Sequence, residues 1–144
     1  METFIAYTIM FIVISIFFLI YVFFRIRKIH KIEKNCQIEF KKILETQDSF
    51  STKGSNCIVT FHKDSFQVKL STLITSLELD NIKYSDISSV EYEDPLSLEV
   101  TIKIKLVSNF EIILGFTNQK HFKELEHYRD YFLTKFFLQN VTQK

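Results

Sequence analysis

Glu91, Glu93 and Asp94 form the densest group of carboxylates in the chain. General acid–base work asks for carboxylates that converge in a shielded cleft. These three run into Pro95 at what reads as a strand end, so they suggest an exposed turn, or a patch facing a partner or a cation. The histidines His30, His62, His121 and His127 show no H-x-x-x-H spacing. His121 and His127, six apart, fall on different faces of a helix, and each histidine reads as solvated or capping. Cys36 and Cys57 lie too far apart in sequence for a metal clip and read as small buried hydrophobes, with acylation of Cys36 as an alternative. No serine or cysteine has a base beside it. A G-x-S-x-G elbow, a P-loop and a G-x-G-x-x-G turn are all absent, and two glycines could not build them. The expectation is a chain that is not an enzyme, with no cofactor and no metal.

The charged group with a clear pattern is basic. Arg25, Arg27, Lys28, Lys31 and Lys34 follow directly on residues 3–24, a run of 22 residues without a charge. As a helix that run would span roughly 33 Å, slightly more than the hydrocarbon core of a bilayer. A cleaved signal peptide would want a basic start, a shorter apolar core and small residues at its end. Here only Glu2 precedes the run, which ends in Tyr21, Val22, Phe23 and Phe24. The expectation is an uncleaved single-pass anchor in the cell membrane. Because the flanking basic residues are all C-terminal, the N-terminus should lie outside and the rest in the cytoplasm. The same five residues could also bind anionic lipid, and one cluster would serve both roles.

The charge balance narrows the partners. Residues 25–49 carry seven basic and four acidic side chains, whereas residues 50–144 carry eleven basic and twelve acidic. A folded part at −1 lacks the basic face that nucleic acid requires. In the reducing compartment inferred from the topology, structural disulfides are rare. The Phe- and Ile-rich, Lys-weighted composition suggests an AT-rich bacterial genome.

The elements that must position these residues follow from periodicity. Ile26, Ile29, Ile32, Cys36, Phe40 and Ile43 recur at steps of three or four, which predicts a juxtamembrane amphipathic helix over residues 25–49. That stripe can pack on its own domain or on the membrane. Its a and d spacing also offers a homodimer seam over residues 26–43. Residues 50–56 read as a linker, with Gly54 its flexible point. From Cys57 the period becomes two. Cys57, Val59 and Phe61 alternate, Lys63 and Asp64 turn the chain, and Phe66, Val68 and Leu70 return. Leu73, Thr75, Leu77 and Leu79 predict a further strand, and Ile82, Tyr84, Ile87 and Val90 are spaced around a short turn. Residues 90–93 predict a strand, and residues 97–107 a longer one with Leu98, Val100, Ile102, Ile104 and Leu106 inward. Ser108 and Asn109 form a turn, after which Phe110, Ile112, Leu114 and Phe116 face the core, with Gly115 marking a bend or close approach. A final helix is expected over residues 119–138, capped by Asn118, with Phe122, Leu125, Tyr128, Phe132, Leu133 and Phe136 as its apolar stripe. The expected divisions are an anchor over 1–24, the juxtamembrane helix over 25–49, the linker over 50–56, a domain over 57–138 and a tail over 139–144.

This order, with Ile82, Tyr84, Asp86, Ile87 and Val90, the strand 98–106, residues 112–116 and residues 122–128, resembles the bacterial pleckstrin-homology-like (PH-like) domains over residues 55–138. The resemblance implies an α+β protein: an N-terminal transmembrane helix, then an antiparallel β-barrel or sandwich capped by one C-terminal α-helix. Lipid binders of that family use a basic pocket near the first hairpin, where this chain offers Lys63 and Lys69 with Asp64 between them. The layout is similar to that of the sublancin-type bacteriocin immunity proteins. Two roles are thereby implied: a tethered module that binds a protein partner or anionic lipid, or self-immunity against a secreted peptide.

Overall fold

Helix α1 (Glu2–Thr46) runs unbroken from the apolar segment through the basic residues that follow it. The computed structural model describes residues 1–93, 100–116 and 126–143. The chain forms two compact units, Met1–Lys31 and Ile32–Lys144.

The first unit is long and apolar enough to cross a membrane, and none of its apolar window is buried by protein. Two of its hydroxyls bond back to the helix backbone. Thr8 Oγ1 donates to the Phe4 carbonyl at 2.9 Å, and Ser15 Oγ to the Phe11 carbonyl at 2.8 Å. In hydrocarbon each polar group must find such an internal partner.

The second unit is α+β, as expected. Its strands, among the described residues, are β1 (Phe50–Lys53), β2 (Cys57–Phe61), β3 (Ser65–Ser71), β4 (Ser76–Lys83), β5 (Ile87–Tyr92), β6 (Thr101–Leu106) and β7 (Glu111–Gly115), followed by helix α2 (Glu126–Thr142). All pairings are antiparallel. They form two separate sheets, β1-β2-β3-β4 and β5-β6-β7, and do not close into the expected barrel. Alternation explains the core. Val59, Phe61, Phe66 and Val68 from one sheet, and Ile102, Ile104, Ile112 and Leu114 from the other, are buried, while Lys105 and Glu111 point outward.

Several expectations need correction. Residues 50–53 are not a linker: they form β1, paired with β2 from Phe50↔Phe61 to Lys53↔Ile58. The strand is short and its pattern weak: Ser51 and Lys53 are exposed, and of the inward pair Phe50 and Thr52 the fully buried one is a hydroxyl. The strand expected to begin at Leu73 begins at Ser76, and Leu73 and Ile74 occupy the hairpin tip. It then continues past Leu79 to Lys83. Two residues of β4, Asp80 and Asn81, oppose Gln67 alone, with Asn81 in the left-handed region at φ 54°. This bulge absorbs the odd spacing between Leu79 and Ile82 and returns Ile82 to the core. The predicted short turn is present as a 3-10 turn over Tyr84–Asp86. Asn109 takes φ 64° in the β6–β7 turn, as its identity suggested, but Phe110 beside it is exposed.

α2 is buried on almost every side. Tyr128, Phe132 and Leu133 face the core as expected, joined by Tyr131, Thr134, Phe137 and Leu138. A one-face stripe under-reads a helix that is covered all round. Covering it on one side are Phe40 of α1, whose ring lies 5.9 Å from Phe136 and 5.0 Å from Phe137, and Cys36, whose Sγ donates to the Arg129 carbonyl at 3.9 Å. Cys36, Phe40 and Ile43 of the amphipathic stripe thus serve their own unit. The expected tail is also partly helical, since α2 continues to Thr142, where Thr142 Oγ1 donates to the Leu138 carbonyl at 2.8 Å. Asp94, residues 97–99 with Leu98, Asn118, His121, Phe122, Glu124 and Leu125 lie outside the described residues.

Candidate functional site

A cavity of about 500 Å³ opens in the second unit between the end of α1, the last turns of α2 and the β2–β3 turn. Its floor is aromatic for a structural reason. Phe61 projects inward from β2, and β1 and α2 bring Phe50 and Phe137 alongside, while Phe66 on β3 lies buried behind the lining between Phe61 and Tyr84. The rings stack in series. Phe137 lies 5.5 Å from Phe50 and 4.7 Å from Phe61, and Phe66 lies 6.3 Å from Phe61 and 5.8 Å from Tyr84. Offset stacks of this kind add to the burial term.

The rim is polar. Gln47 and Asp48 come from the segment after α1, His62 and Lys63 from the β2–β3 turn, and Asn140 from α2. The turn is braced at two points: His62 N donates to the Ser65 carbonyl at 2.9 Å, and Tyr84 Oη donates to the His62 carbonyl at 2.6 Å. Burial pushes the Tyr84 phenol up to about 12, so it stays a neutral donor. An apolar floor with a few polar groups at its edge is the usual composition of a binding pocket.

The residues singled out by sequence fare unevenly. Lys63 lines this cavity, but Lys69 is exposed on β3, opposite Glu78. The two lysines therefore do not form one basic pocket. Glu91 is exposed on β5, opposite Lys103, and Glu93 sits 3.9 Å from the Lys103 ammonium. The Glu93 carbonyl accepts a 2.7 Å hydrogen bond from Tyr131 Oη, which ties this end of β5 to α2. Asp94, the third member of the acidic group, is outside the described residues. Among the described residues no three His, Cys, Asp or Glu side chains gather as a metal site.

Of the basic residues, Arg25, Arg27, Lys28 and Lys31 belong to the first unit. Arg25 Nη1 donates to Tyr21 Oη at 3.1 Å, and Arg27 lies 5.0 Å from the Phe23 ring centroid. Pairs of this kind suit the boundary of a bilayer, where aromatic rings and cationic heads meet. Lys28 and Lys31 are exposed, as is Lys34 in the second unit. Both cysteines are buried thiols. Burial pushes Cys36 up to about 11 and Cys57 up to about 12, which leaves little nucleophilic thiolate at neutral pH.

Sequence reading missed Phe50, Tyr84, Phe137 and Asn140 as cavity residues. Phe50 lay in the supposed linker and Asn140 in the supposed tail, Tyr84 read as an ordinary apolar position, and Phe137 fell outside the apolar stripe, which ended at Phe136. No protein-family model matches the chain, and no curated protein is significantly similar to it.

Proposed function

We propose that this is a non-enzymatic, single-pass membrane protein that presents a cytoplasmic PH-like binding domain at the membrane surface. The observation that carries the reading is the cavity, an aromatic floor with a polar rim, in the unit that follows a segment able to span a bilayer. In this reading residues 3–24 are an uncleaved anchor. Arg25, Arg27, Lys28, Lys31 and Lys34 fix the cytoplasmic side and meet anionic lipid. Tethering raises the local concentration of the domain for partners at the bilayer without any new contact. The succession of antiparallel strands followed by a helix supports the PH-like assignment. In this reading the cavity, and not the acidic group at Glu91 and Glu93, is the docking point for a protein partner, since Glu91 and Glu93 lie at a strand end beside Lys103 and are not among the residues lining the cavity.

The test is photo-crosslinking in intact membranes, with the reactive group placed at Asn140 on the rim or at Ser89 on β5. A discrete adduct from Asn140 and not from Ser89 is the expected result. The same adducts from both positions, or none, would remove the cavity as a docking point.

Self-immunity against a secreted antimicrobial peptide is the second reading, favoured by the layout of one apolar N-terminal helix followed by such a domain. Deleting the gene and exposing the cells to medium from the parent culture decides it. Growth arrest that re-expression reverses is expected if the chain confers immunity; normal growth while the peptide is being made excludes that role.

A further inference from the structure

Leu73 and Ile74, at the tip between β3 and β4, are 106% and 94% exposed, which is full exposure for two large aliphatic side chains. They are the outer end of an apolar strip. Leu70 and Leu77 pair across the two strands just behind them, and Leu77 is itself half exposed. Residues 70–77, Leu-Ser-Thr-Leu-Ile-Thr-Ser-Leu, carry no charge. The charged residues that flank them, Lys69 and Glu78, are opposite one another in register and offset each other.

The turn is closed on itself at its base. Thr72 N donates to the Thr75 carbonyl at 2.8 Å, and Thr72 Oγ1 accepts from Thr75 N at 3.0 Å. Behind them Ser71 N donates to the Asn56 carbonyl at 2.8 Å. Backbone groups paired in this way need no solvent, a condition for entering an apolar phase.

The position of the tip selects its occupant. β3 starts at the cavity end, after the turn containing His62 and Lys63, and its seven residues carry the chain about 20 Å to the opposite end. The α1 residues of this unit run the same way in reverse. Ile43 and Leu44 line the cavity, whereas Cys36 lies against Arg129 at the beginning of α2. Asp130, the next residue of α2, accepts a backbone hydrogen bond from Lys53, which precedes Gly54 and Asn56 at the foot of the tip. The tip therefore stands at the end of the unit where the chain arrives from its apolar N-terminal segment. The other exposed apolar tip, with Val107 and Phe110, is held by Val107 N donating to the Asp86 carbonyl at 2.8 Å, beside Tyr84 and the cavity.

We propose that the β3–β4 tip seats Leu73 and Ile74 in the interfacial layer of a lipid bilayer, giving the domain a second membrane contact besides its anchor. The inference rests on the anchor reading of residues 3–24. The contact is driven by apolar burial and is insensitive to salt, since the tip carries no net charge.

The chain has no tryptophan, so one introduced residue reports alone. The full chain is reconstituted in phosphatidylcholine–phosphatidylglycerol vesicles, part of whose lipid carries brominated acyl chains. Three variants are compared: Phe18→Trp in the anchor, Ile74→Trp at the tip and Val107→Trp at the opposite tip. Quenching of the Phe18 and Ile74 variants by brominated lipid is expected, with the Ile74 variant shifted to shorter wavelength at low and high salt and the Val107 variant unquenched. An unquenched Ile74 variant with water-like emission overturns the tip contact while the anchor stands. Blue-shifted but unquenched emission there also overturns it, and points to a second copy covering the tip. If the Phe18 variant itself escapes quenching, the anchor reading has failed and the tip contact falls with it.

Discussion

Thr52 of β1 and Thr134 of α2 join the sheet to the helix through a buried hydroxyl pair 2.7 Å apart. The direction of the bond can be assigned. Thr134 Oγ1 spends its one proton on the Asp130 carbonyl at 2.8 Å, so Thr52 is the donor and Thr134 the acceptor. Both residues are almost wholly buried. Thr134→Val should therefore strand the Thr52 hydroxyl and cost about 1–3 kcal/mol, whereas the double variant Thr52→Val/Thr134→Val should recover part of that loss. Denaturant unfolding of the single and double variants tests this; strictly additive losses would show that the pair is not coupled.

The two glycines of the chain meet. Ser55 N donates to the Gly115 carbonyl at 2.8 Å, and Gly115 N donates to Asn56 Oδ1 at 2.8 Å, which ties the β1–β2 loop to β7 and so one sheet to the other. A Cβ at Gly54 would overlap the Gly115 carbonyl oxygen and lie 2.6 Å from Cys57 Sγ. At Gly115 its nearest neighbours would be side-chain atoms, Asn56 Oδ1 and Ser55 Oγ at 3.1 Å and Asn56 Cγ at 3.3 Å. Gly54→Ala should cost about 1–3 kcal/mol or more, and Gly115→Ala about 1 kcal/mol or less. Equal melting temperatures for the two variants would contradict this ordering. Gly54 is thus a point of close approach and not the flexible point that its setting among Ser and Asn suggested.

Alkaline stability follows from four buried acids. Burial pushes Cys36 up to about 11, and Cys57, Tyr84 and Tyr92 up to about 12, from ordinary values of 9.0 for the thiols and 10.0 for the phenols. The folded chain holds these protons more tightly than the unfolded one. Their stabilising effect is complete below about pH 9 and is lost as pH rises from there through the folded values. Asp130 is likewise raised by burial, partly offset by Arg129, so stability also increases as pH falls through its folded pKa. Melts followed by circular dichroism from about pH 8 to pH 11 should show a steady decline above about pH 9. A flat profile would mean that these groups are solvated.

Lys63→Glu reverses a charge on the cavity rim at an exposed position. Its melting temperature should stay near that of the parent, a change within about 0.5 kcal/mol, while the adduct formed from Asn140 is reduced. Unchanged crosslinking would place the partner contact away from Lys63.

Much of this fold was legible because its strands follow a strict rule. Ile102 and Ile104 alternate with Lys103 and Lys105, and Asn109 marks the turn after them. What escaped depended on pairing that sequence does not display. β1 is a strand because β2 lies beside it, and the Leu79 to Ile82 break is a bulge because Gln67 stands opposite two residues. The cavity was harder still. Phe50, Tyr84 and the α2 pair Phe137 and Asn140 come from three separate segments, and Phe137 stacks between Phe50 and Phe61 where they meet. The basic residues beside the apolar run were plain from composition, but composition does not say whether lipid meets them.

The most direct measurement is the intact mass of the chain recovered from carbonate-washed membranes of the source cells. An anchored module predicts a chain in the membrane pellet whose mass still includes residues 3–24. A shorter chain in the supernatant, cut near the end of the apolar run, would make that run a signal sequence and contradict the tethered reading.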